Sequence, residues 1–153
     1  MKILVSGSTG LVGSALVPRL KAEGHEVLRL VRSAPKEGTG EVYWNPEKGT
    51  LDAEEIEGVE GVVHLAGESI AEGRWTEEKK KRISSSRVVG TTVLSKALAG
   101  LERKPRSLLS ASAVGYYGNR GEEILTEVRD TARCECRETG CERVKHRTGQ
   151  ESN

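Results

Sequence analysis

The chain has 153 residues, about the size of one ordinary domain, and with 35% apolar residues and no Phe any core must rest on Leu, Val, Ile and Ala. Lysine plus arginine number 24 against 23 acidic residues, so charge gives no ground for a nucleic acid or an anionic membrane as partner. No run approaches eighteen apolar residues, the opening Ile3-Leu4-Val5 is too short for a signal peptide, and three cysteines do not make a disulfide framework; the expectation is a soluble cytoplasmic protein.

Lys2 to Ser6 reads as an apolar strand that runs into Gly7-Ser8-Thr9-Gly10-Leu11-Val12-Gly13. Val12, Ala15, Leu16, Arg19, Leu20 and Glu23 then recur at helical spacing, with Pro18 expected to bend the helix and Gly24 to stop it. Glu26 to Val31 is a second strand ending at Arg32, and a crossover of this length implies parallel pairing. A loop over 33–40, a short strand Glu41 to Trp44, a turn from Asn45 to Gly49 and at most a short helix over Ala53 to Glu57 follow. Gly61 to Leu65 reads as a fourth, buried-type strand that breaks at Ala66-Gly67. A polar loop leads to a long helix from about Thr76 to Leu101, with Thr76 as cap and Val93, Leu94, Ala97, Leu98 and Leu101 as its apolar stripe. The basic run Lys79 to Arg82 near its start reads as a solvated face rather than a nucleic-acid patch. Ser107 to Ser112 is a fifth strand. Strands alternating with helices predict an α/β fold, a doubly wound parallel Rossmann sheet of strand order 3-2-1-4-5.

Three glycines spaced by three after a first strand suit a pyrophosphate. Gly7 permits the tight turn, Gly10 lets the backbone approach the phosphates, and Gly13 lets the helix pack close, while the helix N-terminus offers N–H groups and positive potential. The strand before and the amphipathic helix after supply the context that the motif requires. The turn thus nominates Gly7, Thr9, Gly10, Leu11, Val12 and Gly13 as cofactor-binding residues. At the end of the second strand, where an NAD site usually places a carboxylate, stand Val31 and Arg32. A guanidinium there suits a 2′-phosphate, so NADP is favoured over NAD, against the plainer reading that Arg32 solvates a strand end.

These residues, with Trp44-Asn45-Pro46, His64-Leu65-Ala66-Gly67-Glu68-Ser69-Ile70, Gly73-Arg74-Trp75-Thr76, Ser86-Arg87, Gly90-Thr91, Ser110 to Gly118 and Leu125-Thr126-Glu127, resemble the atypical extended short-chain dehydrogenase/reductases, the nucleoside-diphosphate-sugar epimerase family proteins. The resemblance implies that Leu65, Ala66 and Gly67 pass beside the cofactor's adenosine portion and that Arg87 reaches back to its phosphates. It implies that Ser112 is the catalytic serine binding a substrate carbonyl or hydroxyl; as a serine closing a strand it is also unexceptional. An intact relative would be an NADP-dependent oxidoreductase or epimerase-like enzyme on a small, nucleotide-sugar type of substrate.

Active members of that superfamily use a tyrosine with a lysine four residues on, the lysine easing the tyrosine's proton exchange. Four residues beyond Tyr43, Tyr116 and Tyr117 stand Glu47, Arg120 and Gly121. The missing pair keeps a second reading open, a non-catalytic dinucleotide-binding module or inactive remnant. The family pattern covers 1–127, read as an incomplete NADP-binding domain truncated before the substrate lobe, while 128–153 holds no Leu, Ile, Met, Trp or Tyr and reads as an aberrant, disordered tail produced by a frameshift. Cys134, Cys136, Cys141 and His146 in that tail offer zinc ligands at an unusually tight spacing, and no metal is expected. A fifth strand without a neighbour would leave an open sheet edge through which chains associate.

Overall fold

In the computed structural model, residues 1–111 and 121–124 are described. Contacts divide the chain into Met1–Ala111 and Ser112–Asn153, and the first unit holds every element below. Six strands, β1 (Lys2–Ser6), β2 (Glu26–Val31), β3 (Glu41–Asn45), β4 (Thr50–Leu51), β5 (Gly61–His64) and β6 (Ser107–Ser110), form one sheet in the order β4-β3-β2-β1-β5-β6. The pairs β1–β2, β1–β5, β2–β3 and β5–β6 are parallel, which is the 3-2-1-4-5 order read from the sequence. The difference is β4, two residues returning antiparallel along β3 and making the sheet mixed. The turn before it was legible: Lys48 N–H donates to Asn45 Oδ1 and Gly49 N–H to the Pro46 carbonyl. A two-residue strand after it carries no periodicity to read.

Helices α1 (Leu11–Ala22) and α2 (Glu77–Gly100) cover opposite faces, because alternate strand residues point opposite ways. Ile3, Val5 and Val27 pack with Val17 of α1, whereas Leu4, Leu28, Leu30, Val42 and Val62 pack with Leu94 and Leu98 of α2. α1 runs unbroken through Pro18 and ends in a Schellman motif: Gly24 has φ +82°, its N–H donates to the Lys21 carbonyl and that of His25 to Leu20. The helix buries Gly13 and Val17, not Val12 as the predicted stripe had it. α2 starts where expected, with Thr76 Oγ1 accepting from the Lys79 N–H. A single 3-10 turn, Glu54–Ile56, is all the helix found over 53–57. No helix among the described residues is long and apolar enough to cross a membrane.

Candidate functional site

The parallel strands end together, so the segments after β1, β2 and β5 share one edge of the sheet. Register fixes this: Ser6 of β1 pairs with Leu30 of β2 and with His64 of β5. Gly7, Val31 and Leu65 are therefore the next residues out on three neighbouring strands.

Gly7 turns the chain with φ +69°, and a Cβ there would stand 2.7 Å from the Leu65 carbonyl carbon and 2.8 Å from Ala66 N. Only glycine lets the two strand ends approach this closely. Gly13 is as confined, since its Cβ would run into the Gly7 carbonyl oxygen and lie 2.7 Å from Ser8 Cα; it packs against the turn itself rather than the sheet. Gly10 differs from both. Its φ is −75°, which any residue adopts, and a Cβ would meet only Gly7 O at 3.4 Å, so the space above it is open.

The Gly10 N–H donates to Gly7 O and the Ser14 N–H to Gly10 O. Between them the N–H groups of Leu11, Val12 and Gly13 have no acceptor among the described residues, and no side chain caps the helix. α2, by contrast, is capped by its own Thr76. Three free donors, a dipole end and an open glycine make a place for an anion, not a finished helix start. Thr9 and Gly10 are exposed around it, and Leu11 and Val12 leave 93% and 60% of their surface uncovered, unusual for aliphatic side chains at a helix start.

Arg87 of α2 lies against the other side of the same edge. Its Nη1 donates to the carbonyls of Glu68 and Ile83, and a Cβ on Gly67 would come within 3.2 Å of its Cζ. Gly7, Leu65, Ala66, Gly67 and Arg87 thus form a continuous chain of contacts. Val31 and Arg32 join it through strand register, with Arg32 exposed. Glu41, in register with Arg29 on β2, is otherwise engaged: it accepts from Lys36 N–H and pairs with Arg29 at 2.9 Å, and the Lys36 N–H holds its carboxyl below the usual range. Ser112 lies outside the described residues, as do Cys134, Cys136, Cys141 and His146. Among the described residues no cluster of His, Cys, Asp and Glu could hold a metal ion.

Two features of this edge were not visible in the sequence. Glu68, next to Gly67, is clasped by α2: its Oε1 accepts from Lys79 Nζ at 2.9 Å and Arg82 Nε at 3.4 Å, and its N–H donates to Ser86 Oγ. Lys79, Arg82 and then burial act on the Glu68 carboxyl, the two cations winning and holding it below the usual range. Lys79, only 7% exposed, departs from the reading of Lys79 to Arg82 as a solvated face, whereas Lys81 and Arg82 are exposed as expected. The second feature is a buried polar chain. Ser6 Oγ is 2.6 Å from His64 Nδ1, and His64 Nε2 is 3.2 Å from Thr91 Oγ1 of α2. Burial pushes the His64 imidazole below its ordinary value. Residue types alone could not reveal either, since both depend on which residue faces which between segments 11 to 58 positions apart.

The NAD dependent epimerase/dehydratase family model matches residues 3–144. An epimerase family protein of Mycobacterium bovis is 43% identical over 125 residues, which is 82% of this chain and 40% of that protein. The Bacillus subtilis epimerase family protein YfhF is 37% identical over 130 residues, covering 83% of this chain and 42% of YfhF. This chain therefore spans about two fifths of the length of these curated relatives. Among solved structures, human epimerase family protein SDR39U1 with NADPH superposes with TM-score 0.65 at 33% identity, over 76% of this chain and 38% of that one. MoeE5 in complex with UDP-glucose and NAD gives 0.65 at 25% identity, over 86% and 42%. The fold agrees with those matches, and the chain belongs to the NAD dependent epimerase/dehydratase family.

Proposed function

We propose that this chain is the dinucleotide-binding part of an epimerase- or dehydratase-type protein and holds NADP(H) on the Gly7–Gly13 turn. The observation that carries the reading is the uncapped start of α1, with three N–H groups free beside an open Gly10. The pyrophosphate would take those donors, and the nucleotide's apolar rings would cover Leu11 and Val12. Leu65, Ala66 and Gly67 would flank it with backbone alone, and Arg87, already placed on Gly67, has further donors to turn toward a phosphate.

Arg32 favours NADP over NAD. It is exposed at the end of β2, while Glu41, in register with Arg29 on β2, is tied to Arg29 and Lys36. The human neighbour's structure with NADPH supports the same choice, and MoeE5 with NAD is its counterweight. The bound nicotinamide would supply hydride exchange. This chain's part is to bind and orient the nucleotide, and Ser112 would hold a substrate hydroxyl or carbonyl. A small nucleotide-sugar substrate is the class suggested by MoeE5's UDP-glucose complex.

The second reading, a non-catalytic nucleotide-binding module, is favoured by the absence of a tyrosine with a lysine four residues on. A family domain over 1–127, a cytoplasmic setting where the cysteines stay reduced, and pairing of two chains through β6 belong to the same proposal. The last rests on the exposure of all four β6 residues, including Leu108 and Leu109. Calorimetry with NADPH and NADH tests the cofactor assignment: tighter NADPH binding is expected, and tighter NADH binding removes Arg32 from its role.

A further inference from the structure

Donor counting fixes the protons of the chain Ser6–His64–Thr91. Ser6 Oγ accepts from the Ala66 N–H at 3.2 Å and shares the Leu65 N–H, also at 3.2 Å, with the Ser6 backbone carbonyl, and its side chain is fully buried, so its proton needs an acceptor among these partners. Its one proton must then go to the remaining partner, His64 Nδ1. His64 accepts there, so its own proton sits on Nε2 and donates to Thr91 Oγ1. The opposite arrangement would add a further donor to an oxygen already facing two N–H groups and leave the buried Ser6 proton without an acceptor.

We propose that His64 is a positioning residue for the dinucleotide: as a neutral Nε2–H imidazole it receives the Ser6 proton, frees that hydroxyl to hold the Leu65 and Ala66 N–H groups, and so fixes the strand end that packs on Gly7. The inference rests on the reading that the dinucleotide lies on this turn. Gly7 touches Leu65 and Ala66 so closely that no slack exists between the two strand ends. A proton added at Nδ1 turns an acceptor into a donor facing Ser6 Oγ. Ser6 Oγ then faces one donor more, its hold on the Ala66 N–H and its share of the Leu65 N–H loosen, and the cradle moves with them. Cofactor binding is thereby coupled to His64 remaining neutral.

The groups facing His64 are Ser6 of β1, Trp44 of β3, whose ring meets it edge-on at 6.1 Å, and Gly90 and Thr91 of α2. None is charged, and burial is the one cause acting on the imidazole, favouring the neutral form.

Two measurements test this. Long-range proton–nitrogen spectra of the unsubstituted chain at neutral pH should show His64 with Nε2 protonated and Nδ1 bare; a proton on Nδ1 overturns the inference. Fluorescence titrations with NADH and NADPH between about pH 5 and pH 8 should show affinity falling on the acid side toward about tenfold per pH unit, as for one linked proton. NADH is the cleaner probe, because the NADPH 2′-phosphate itself titrates near about pH 6. His64→Asn keeps an oxygen to accept from Ser6 but cannot titrate, so its NADH affinity should be flat where the unsubstituted chain's falls. Equal pH dependence in the two overturns the coupling alone, whereas no binding of either nucleotide at any pH overturns the cofactor reading and the coupling with it. Reciprocity gives a check that needs no variant: saturating NADH should move the His64 titration midpoint to lower pH, and an unmoved midpoint overturns the proposal.

Discussion

Gly13 and Gly7 share one space: a Cβ on Gly13 would run into the Gly7 carbonyl oxygen, whereas a Cβ on Gly10 would rest 3.4 Å from that same oxygen. Under the proposed function the turn therefore separates folding from binding residue by residue. Gly13→Ala should cost about 1–3 kcal/mol of stability, the usual range for forced overpacking, read by urea denaturation. Gly10→Val should keep the fold, since φ is −75° there, yet lose NADPH affinity by roughly a hundredfold or more. That loss corresponds to one or two charge-assisted hydrogen bonds at about 1.5–3 kcal/mol each. A Gly10→Val chain that folds and still binds NADPH as before would contradict the pyrophosphate role.

Arg32 stands exposed at the end of β2. Arg32→Asp replaces attraction to a 2′-phosphate by repulsion and should weaken NADPH binding by about 1.5–3 kcal/mol, the range for a hydrogen bond to a charged group. NADH, which lacks that phosphate, should lose far less. Equal losses for the two nucleotides in calorimetry would show that Arg32 does not read the phosphate.

The Glu68 clasp gives stability a pH dependence of known sign. A carboxyl held below its ordinary value of 4.5 contributes stability that is complete above that value and lost as pH falls through its lower folded value. Glu68→Gln should therefore lower the melting temperature at neutral pH, and the gap to the unsubstituted chain should close below about pH 4.5. Adding Lys79→Met should recover part of the loss, because the lone buried cation is then gone. A gap that stays constant with pH would mean that the ion pair contributes nothing.

Leu108 and Leu109 are 46% and 63% exposed on β6. Light scattering behind size exclusion should find the chain dimeric or larger, and Leu109→Lys should shift it toward monomer by placing a charge on the edge. A monodisperse monomer with a cooperative thermal transition would contradict association through β6.

The sheet was legible because parallel strands buried on both faces read as short continuous apolar runs such as Ile3-Leu4-Val5 and Gly61-Val62-Val63, each closed by glycine or a polar turn. The glycine turn was legible because its spacing and its place after the first strand carry the meaning. What stayed hidden depends on register: Ser6 meets His64, and Lys79 meets Glu68, only once the strands are laid side by side and α2 is folded over their ends. Polarity misled at Lys79: a lysine in a basic run reads as solvent-facing, yet it is buried against Glu68. Val12 misled in the opposite sense, an aliphatic residue at helical spacing that the fold leaves uncovered.

The most direct test of the central claim follows the backbone amide signals of the intact chain as NADPH is added. The N–H signals of Gly10, Leu11, Val12 and Gly13, with those of Leu65 and Ala66, should shift together and saturate. Those of Glu102 and Arg103, which donate to Glu57 far along the chain from the glycine turn, should stay in place. Saturable shifts confined to other amides, or none at any concentration, would contradict dinucleotide binding on this turn.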